Sequence, residues 1–332
     1  PDLEGTIADH LELAASPAPP ISAIDAVIRA AGRAVGVPSM RTTQVAATKG
    51  VLQGLDVWAI LPTGFGKTLI PAVLPLILRK LGIIVYPARA VIDDHAGFMR
   101  AVGLRAVVLG AESGMTADAA RRLALPTTTH LLCTIEQLAN PAVLAALAAR
   151  DVGFLCCDEA HCAWTWAGIK ADAYRQVASF RQRVGWPPLL LLSATAPPST
   201  ALAVSKIVGS YHVNQLSKAL TIRVPPNRPN VSINITKTTR PGASHGTVLE
   251  PRELPTLLLN TIQGLKAAAL EGGDRLATYP RVIVFCSSQA SAVQFFNCAV
   301  CIIGGGVLPG NLLKTFTLYT GSTDTAQRDA IL

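Results

Sequence analysis

Short apolar runs alternate with longer amphipathic segments between about residue 56 and residue 210. The runs predict buried strands at Val57–Leu61, Gly82–Tyr86, Ala106–Leu109, Leu131–Thr134, Val152–Cys157 and Leu189–Leu192. The segments between them have helical spacing and predict helices at Thr68–Lys80, Val91–Val102, Glu136–Ala149 and Ala171–Val184. Because strands without a polar face are typical of parallel sheets covered on both faces, the pattern predicts an α/β domain with a parallel sheet.

Four parts of the chain differ in their patterns. Residues 1–38 predict an N-terminal helical segment, whose clearer helix runs from Ile21 to Val35, and residues 39–210 contain the predicted α/β domain. Residues 211–250 are interrupted by prolines and include a stretch of alternating apolar residues, so we interpret them as a connector. Residues 251–332 resume the α/β pattern over fewer residues than the ~100–150 of a typical domain, which predicts a partial second domain in a truncated chain.

The composition favours a folded chain with more than one domain. Its 332 residues exceed the ~250 at which single cores usually stop growing. Half of the residues are hydrophobic and only 15% are charged, which argues against intrinsic disorder. The net charge of +8 is compatible with a nucleic-acid partner, although the basic residues form no block. No apolar stretch approaches the ~20 residues of a membrane span and no signal peptide is visible, so we expect no membrane partner.

The cysteines favour a reducing compartment. Seven cysteines are an odd number and form no disulfide framework. Cys298 and Cys301 form a CxxC pair with no second pair and no nearby histidine, so we interpret them as buried small residues rather than zinc ligands.

A glycine-rich turn between the first predicted strand and the next helix has the features of a phosphate-binding loop. Its glycines let the backbone approach phosphate oxygens, and the helix N-terminus offers N–H donors. In this interpretation Lys67 reaches the β- and γ-phosphates and Thr68 binds Mg²⁺, whereas Leu61 replaces the first glycine of the strict pattern. The predicted nucleotide-binding residues of the loop are Thr63, Gly64, Phe65, Gly66, Lys67 and Thr68. The alternative is an ordinary glycine-rich turn with a solvated lysine.

Two short polar motifs follow later strands of the same predicted sheet. Asp158 and Glu159 come at the end of the fifth strand, at the edge where ligands of open α/β sheets bind. Asp158 is predicted to hold Mg²⁺ through water, Glu159 to orient and deprotonate an attacking water, and His161 to link this site to the next strand. Ser193 and Thr195 end that next strand and offer hydroxyls to the acidic motif. The alternatives are a helix cap for the carboxylates and backbone hydrogen bonds for the hydroxyls.

These motifs, in this order, resemble the superfamily 2 helicases, and further residues resemble the RecQ-like DNA helicases in particular. Arg41 to Gln44 resembles the segment whose glutamine reads the adenine edge in that family, with Met40 in place of an aromatic residue. The other matching segments are Val85 to Pro87, Cys162 after the acidic motif, Arg228 to Val231, Val282 to Cys286, and Tyr319 to Gly321 with Arg328. The resemblance covers roughly residues 25–332.

The resemblance implies two RecA-like domains, the first with a phosphate-binding loop, and an ATP- and Mg²⁺-dependent motor moving 3′ to 5′ on DNA. It implies that Arg41 and Gln44 contact the nucleotide and that DNA, single-stranded or with a single-stranded tail, contacts Pro87 and Trp166. It implies a nuclear protein if the source is eukaryotic, and otherwise a cytoplasmic one. In that family a catalytic arginine lies near the end of the second domain, so we expect the 332-residue chain to bind ATP but hydrolyse it slowly and not unwind duplexes.

One departure from the family keeps two alternatives open. The aromatic-rich loop that follows the acidic motif retains Trp166 and Tyr174 and adds Trp164, but reads Ala167 to Ala171 between them. The indoles of Trp164 and Trp166 are predicted either to stack on a base or to pack in the core. A nucleotide- or nucleic-acid-binding remnant without activity is one alternative function, and an RNA helicase is the other.

Overall fold

The computed structural model describes residues 21–110, 115–165, 167–210 and 219–226, together with Asn260 and Gln263. The chain divides into two compact units, Pro1–Asn230 and Val231–Leu332. Nearly all described residues lie in the first unit, so the predicted partial second domain and the CxxC pair lie outside the described residues. In the described part, no helix is long and apolar enough to cross a membrane.

Seven parallel strands form one sheet in the order β3-β4-β2-β5-β6-β1-β7. The strands are β1 (Asp56–Ile60), β2 (Leu81–Tyr86), β3 (Ala106–Val108), β4 (His130–Thr134), β5 (Val152–Cys157), β6 (Leu189–Ser193) and β7 (Ala219–Arg223). The first six coincide with the predicted apolar runs to within a residue or two at each end. The sheet therefore confirms the predicted α/β fold.

Helices connect the strands and precede the sheet. They are α1 (Ile21–Ala34), α2 (Thr42–Leu52), α3 (Leu69–Leu78), α4 (Ala90–Ala101), α5 (Ala117–Ala124), a 3₁₀ helix (Ile135–Ala139), α6 (Pro141–Leu147), α7 (Cys162–Thr165), α8 (Ala167–Arg183) and α9 (Pro198–Ile207). The single helix predicted over Glu136–Ala149 is two, because Asn140 caps a new helix whose first residue is Pro141. Helices α2, α5 and α7 and strand β7 were not predicted from the sequence pattern, and β7 lies within the stretch interpreted as a connector.

Two apolar cores, one on each face of the sheet, account for the continuous apolar strands. In β6, Leu189 and Leu191 lie in one core, while Leu190 and Leu192 lie in the other. All four side chains are buried. This alternation is the direct result of strand geometry, in which successive side chains point to opposite faces.

A buried ion pair fastens helix α8 to the sheet. The Arg181 guanidinium donates to both Asp56 carboxylate oxygens at 2.7 and 3.1 Å, and also to the Pro187 carbonyl. Asp56 Oδ1 in turn accepts the Leu189 backbone N–H at 2.9 Å. Each buried polar group is thus paired, which is the condition under which a buried charge is tolerated.

A buried histidine completes the hydrogen bonding of helix α3, which follows the glycine-rich loop. Pro75 lies inside this helix and has no N–H, so the Pro71 carbonyl lacks its usual partner four residues on. His130 Nε2 donates to that carbonyl at 3.0 Å from the start of β4. Burial lowers the pKa of His130 to about 4. The hydrogen bond to Pro71 raises this pKa, but by less than burial lowers it.

We expect His130 to make the first unit sensitive to acid. Its pKa in the folded chain lies below the ordinary value, so the unfolded chain takes up a proton first as pH falls. Stability from the neutral imidazole is complete above pH ~6.5, and about 3 kcal/mol of unfolding free energy is lost as the pH falls to ~4. All four tryptophans precede Asn230, so tryptophan fluorescence during urea unfolding reports on this unit.

The control variant is His130→Gln, whose amide retains an N–H donor but does not titrate. Its unfolding free energy should fall less between pH 6.5 and pH 4 than that of the unaltered chain. Equal losses in the two proteins would show that His130 is not the source of the acid sensitivity.

Candidate functional site

The loops after β1, β5 and β6 meet at one edge of the sheet. These strands are neighbours in the order β5-β6-β1 and are parallel, so their carboxyl ends lie side by side. The glycine-rich loop follows β1, the acidic motif follows β5, and Thr195 comes shortly after β6. The fold thus brings together the three motifs that the sequence places far apart, at the edge where such sheets bind ligands.

The glycine-rich loop has a backbone that only glycine adopts readily at two positions. Gly64 and Gly66 have φ angles of +80° and +72°, in the left-handed region. At Gly66 a Cβ atom would also lie only 2.7 Å from Gln44 Nε2. The second glycine is therefore required both by its conformation and by the close approach of Gln44.

The side chain of Gln44, at the start of α2, forms hydrogen bonds with the backbone of the glycine-rich loop. Nε2 donates to the carbonyls of Phe65 and Gly66, each at 3.0 Å, and Oε1 accepts the Arg41 backbone N–H at 2.7 Å. Gln44 is only 4% exposed. The Arg41 guanidinium lies 4.6 Å from the centre of the Phe65 ring, a cation–π contact. Both N–H bonds of the amide are thus occupied by the loop, rather than free to contact a base.

Lys67 and Thr68, at the end of the glycine-rich loop, are half-buried. Lys67 Nζ donates to the Leu61 carbonyl at 3.2 Å. Leu61 is fully buried, so the residue that replaces the first glycine of the strict pattern packs its side chain into the core and turns its carbonyl to the lysine. Thr63 and Gly64 are exposed at the tip of the turn.

The acidic turn after β5 is fixed by backbone hydrogen bonds to both neighbouring strands. The Asp158 N–H donates to the Val85 carbonyl at 2.9 Å, and the Ala160 N–H donates to the Leu192 carbonyl at 2.8 Å. Glu159, between them, has a φ angle of +45°, a left-handed conformation that costs a non-glycine residue on the order of 1 kcal/mol or more. The surrounding hydrogen bonds hold Glu159 in this conformation, in which its carboxylate contacts His161.

His161 joins the acidic motif to the end of β6. Its Nδ1 lies 2.9 Å from Ser193 Oγ and 3.3 Å from Glu159 Oε2, and Ser193 Oγ accepts the Thr195 backbone N–H at 3.1 Å. Hydrogen bonds to Cys162 and to Glu159 raise the pKa of His161 to about 9, so the imidazolium is the main form at neutral pH. The same pair lowers the pKa of Glu159, which is ionised there. The predicted coupling residues are therefore in direct contact.

His95, on α4, is a site residue that the sequence analysis missed. Its Nε2 lies 3.2 Å from Thr68 Oγ1, and its Nδ1 lies 2.9 Å from the Tyr86 hydroxyl and 3.8 Å from Asp158 Oδ2. Burial lowers the pKa of His95 and raises that of Asp158, while attraction between the two opposes both shifts. A signal was available, because Ile92 and the polar His95 share the helix face that packs against the sheet.

The contacts of His95 place Thr68 and Asp158 at one point of the site. A hydroxyl and a carboxylate match the donors that Mg²⁺ takes from proteins when phosphates and waters complete its coordination. In the described part of the chain, no group of three or more His, Cys, Asp and Glu side chains could hold a metal by itself. The residues therefore fit an ion that arrives with a phosphate ligand rather than a protein-only metal centre.

The residues predicted to contact nucleic acid have different surroundings. Pro87 is buried, so Ala88 and Arg89, both half-buried, are the parts of this segment that a strand could reach. Trp164 is 52% exposed, which excludes the core-packing interpretation for this residue, whereas Tyr174 is buried. Trp166 lies outside the described residues.

The last described strand of the first unit, β7, ends next to the site. Strand β7 pairs with β1, and the Val224 N–H donates to the Ile60 carbonyl at 3.0 Å, one residue before Leu61. Arg223 donates to the Ala196 carbonyl at 2.7 Å, directly after Thr195. Strand β7 is thus hydrogen-bonded both to β1, the strand before the glycine-rich loop, and to the loop after β6.

Comparison with known proteins gives a family match over the part of the chain that forms this site. Residues 41–204 match the DEAD/DEAH box helicase family. Curated relatives include the probable ATP-dependent DNA helicase RecS of Bacillus subtilis, 28% identical over 60% of this chain and 39% of that protein, and the ATP-dependent DNA helicase Q5 of Mus musculus, 27% identical over 60% and 21%. The chain thus spans about two fifths of the first relative and one fifth of the second.

Three other proteins are similar to this chain. A protein of Acanthamoeba polyphaga mimivirus whose name contains the words ATP-dependent RNA helicase is 24% identical over 62% of this chain and 37% of its own. Among solved structures, the DUF1998 helicase MrfA bound to DNA is 14% identical with a TM-score of 0.47, covering 59% of this chain and 27% of that one. A hypothetical ATP-dependent RNA helicase from Sulfolobus tokodaii is 21% identical with a TM-score of 0.43, covering 59% and 56%.

The contacts of Gln44 predict how nucleotide affinity responds to its loss. Gln44→Ala should weaken ATP and GTP binding to a similar extent, about 5- to 30-fold, because two loop hydrogen bonds of about 1 kcal/mol each are lost. Titration calorimetry with both nucleotides measures this.

The matched control is Gln137→Ala, since Gln137 also holds a backbone carbonyl, that of Gly110, and a backbone N–H, that of Thr134. Its loss should leave both affinities unchanged. A fall in ATP affinity alone after Gln44→Ala would instead support the adenine-reading role and contradict the loop-support role.

Proposed function

We propose that this chain, whose residues 41–204 match the DEAD/DEAH box helicase family, is the ATP-binding part of a RecQ-like DNA helicase. In this proposal ATP hydrolysis drives 3′ to 5′ movement along DNA and the unwinding of duplexes. The observation that carries the proposal is the junction of the glycine-rich loop with the acidic turn, where Lys67 attracts both Asp158 and Glu159 and where His95 contacts both Thr68 and Asp158. The names of RecS and Q5 support DNA as the nucleic acid.

The residues of the site have separate tasks in hydrolysis. Lys67 exchanges its bond with the Leu61 carbonyl for the phosphate oxygens, and the N–H groups of the loop donate to the same oxygens. Thr68 and Asp158 would hold Mg²⁺, which supplies positive charge to the triphosphate. Glu159, ionised at neutral pH, accepts a hydrogen bond from the attacking water through its carboxylate and takes a proton from it.

A change at the nucleotide can be transmitted to the rest of the motor through the contacts between Glu159, His161 and Ser193. When Glu159 binds the attacking water, its carboxylate changes partners, and His161 Nδ1 is left to Ser193. Ser193 also holds the Thr195 N–H, so the change reaches the loop after β6. We assign to this relay the coupling between hydrolysis and movement.

RNA is the second candidate substrate, favoured by the name of the mimivirus relative. One assay distinguishes DNA from RNA as the substrate, since ATP hydrolysis by a DNA helicase should be stimulated by single-stranded DNA more than by RNA of the same sequence.

We propose a nuclear protein if the source is eukaryotic and a cytoplasmic one otherwise.

Substitutions of Lys67 and Glu159 test the assignment of the site. Lys67→Ala should weaken Mg-ATP binding about 10- to 100-fold, because a charge-assisted hydrogen bond to phosphate is worth about 1.5–3 kcal/mol. Glu159→Gln should bind Mg-ATP normally and lower turnover about 10²- to 10⁴-fold, because the amide cannot take a proton. Fluorescent-nucleotide binding and phosphate release measure the two effects.

The control for the lost charge is Lys206→Ala, since Lys206 is exposed on α9 and belongs to no predicted motif. Its nucleotide affinity should match that of the unaltered chain. Normal Mg-ATP binding by Lys67→Ala would rule out the phosphate-binding role of the loop lysine.

The exposed Trp164 indole predicts a contact with single-stranded nucleic acid. Trp164→Ala should leave the thermal midpoint unchanged and weaken nucleic-acid binding by about 5- to 150-fold, since stacking on a base is worth about 1–3 kcal/mol. Anisotropy of a labelled oligonucleotide measures the affinity.

Trp186→Ala serves as control. This indole is 42% exposed but lies before β6, at the amino edge of the sheet, against Arg181. Equal losses of affinity in the two variants would show that Trp164 has no specific role.

A further inference from the structure

A surface cavity of about 310 Å³ lies at the opposite edge of the sheet from the glycine-rich loop. It is bounded by the end of α4, the start of β3 and the residues just before β4. Because all strands are parallel, the starts of β3 and β4 face away from the edge that carries Lys67 and Asp158. The cavity is therefore separate from the ATP site.

Three arginines line this cavity, namely Arg100, Arg105 and Arg122, and no carboxylate does so within the described chain. Arg122 donates to the Ala106 carbonyl at 3.5 Å and forms a 4.0 Å ion pair with Asp118, which lies outside the cavity lining. Arg100 uses only its Nε, which donates to the Ala96 carbonyl at 3.1 Å. The Arg105 guanidinium has no hydrogen bond or ion pair with any residue that the structure describes. Most guanidinium N–H donors of these three arginines therefore have no acceptor among the described residues.

The remaining lining suits an organic phosphate better than a free ion. Thr127 is exposed and adds a hydroxyl beside the arginines, while Leu125 is 49% exposed and Leu104 forms part of the wall. Guanidinium groups bind phosphate oxygens with two parallel hydrogen bonds, and an exposed leucine offers a surface to the carbon face of a sugar.

We propose that this arginine cavity binds backbone phosphates of the nucleic acid, as an accessory contact away from the motor site. This inference rests on the proposed function, because it takes nucleic acid as the ligand. The strand reaches the cavity along the α4–β3 side of the first unit. Phosphate contacts of this kind fix position and strengthen binding without reading sequence.

The test uses the 332-residue chain and a labelled single-stranded DNA, with affinity measured by anisotropy at several salt concentrations. Arg105→Gln and Arg122→Gln should each weaken binding about three- to tenfold at low salt and lower the slope of log affinity against log salt by about 0.7. The control is Arg121→Gln. Arg121 has the same charge and adjoins Arg122, but it pairs with Asp118 at 2.5 Å and lies outside the cavity.

Each outcome decides the inference. Binding by Arg105→Gln and Arg122→Gln that equals that of Arg121→Gln would overturn it, while leaving the proposed function intact if the unaltered chain binds DNA and Mg-ATP. A chain that binds Mg-ATP but no DNA would overturn both. Inorganic phosphate, titrated at constant ionic strength, distinguishes the source: phosphate binding by the unaltered chain but not by Arg105→Gln, with equal DNA affinity in the two proteins, would identify a free-phosphate site and overturn the backbone assignment.

Discussion

The site depends on the buried amide of Gln44, which supports the glycine-rich loop. The loop backbone turns away from the sheet, so the carbonyls of Phe65 and Gly66 have no strand partner, and the two N–H bonds of Gln44 satisfy them. This fixes where Lys67 and Thr68 leave the loop and where helix α3 begins. The contact from Thr68 to His95 then extends the fixed geometry to the acidic turn.

Adjacent carboxylates in the acidic turn have opposite electrostatic environments. Burial raises the pKa of Asp158, and this effect is only partly offset by His95. Glu159 is half-exposed, and its hydrogen bond with His161 lowers its pKa. Environments that separate the pKa values of neighbouring acids commonly separate their roles. Here Asp158 is suited to a cation, whose charge would offset the cost of its burial, while Glu159 is suited to a water.

The sequence predicted the parts of the fold that have strong local patterns. The central strands are apolar throughout because both faces are covered, and the glycine-rich loop requires glycines at defined positions. Helix α2 was missed because it is buried on several sides, with polar Gln44 and Thr48 inside, so its apolar residues mark no single face. Strand β7 was missed because it is an edge strand with alternating exposure. The position of His95 on a helix face that packs against the sheet was a local signal, but the partners that give it a role lie 27 and 63 positions away in sequence.

Strand β7 also has a mechanical consequence. It is parallel to β1 over five residue pairs, and the chain continues from its end towards Asn230. A pull directed along the axis of β7 would load the hydrogen bonds between β7 and β1 together in shear instead of opening them one at a time. The first hydrogen bonds to bear this load would be those from Val224 to Ile60 and from Arg223 to Ala196. Tension in the chain would therefore act on β1, which precedes the glycine-rich loop, and on the loop after β6 before it acts on the core of the sheet.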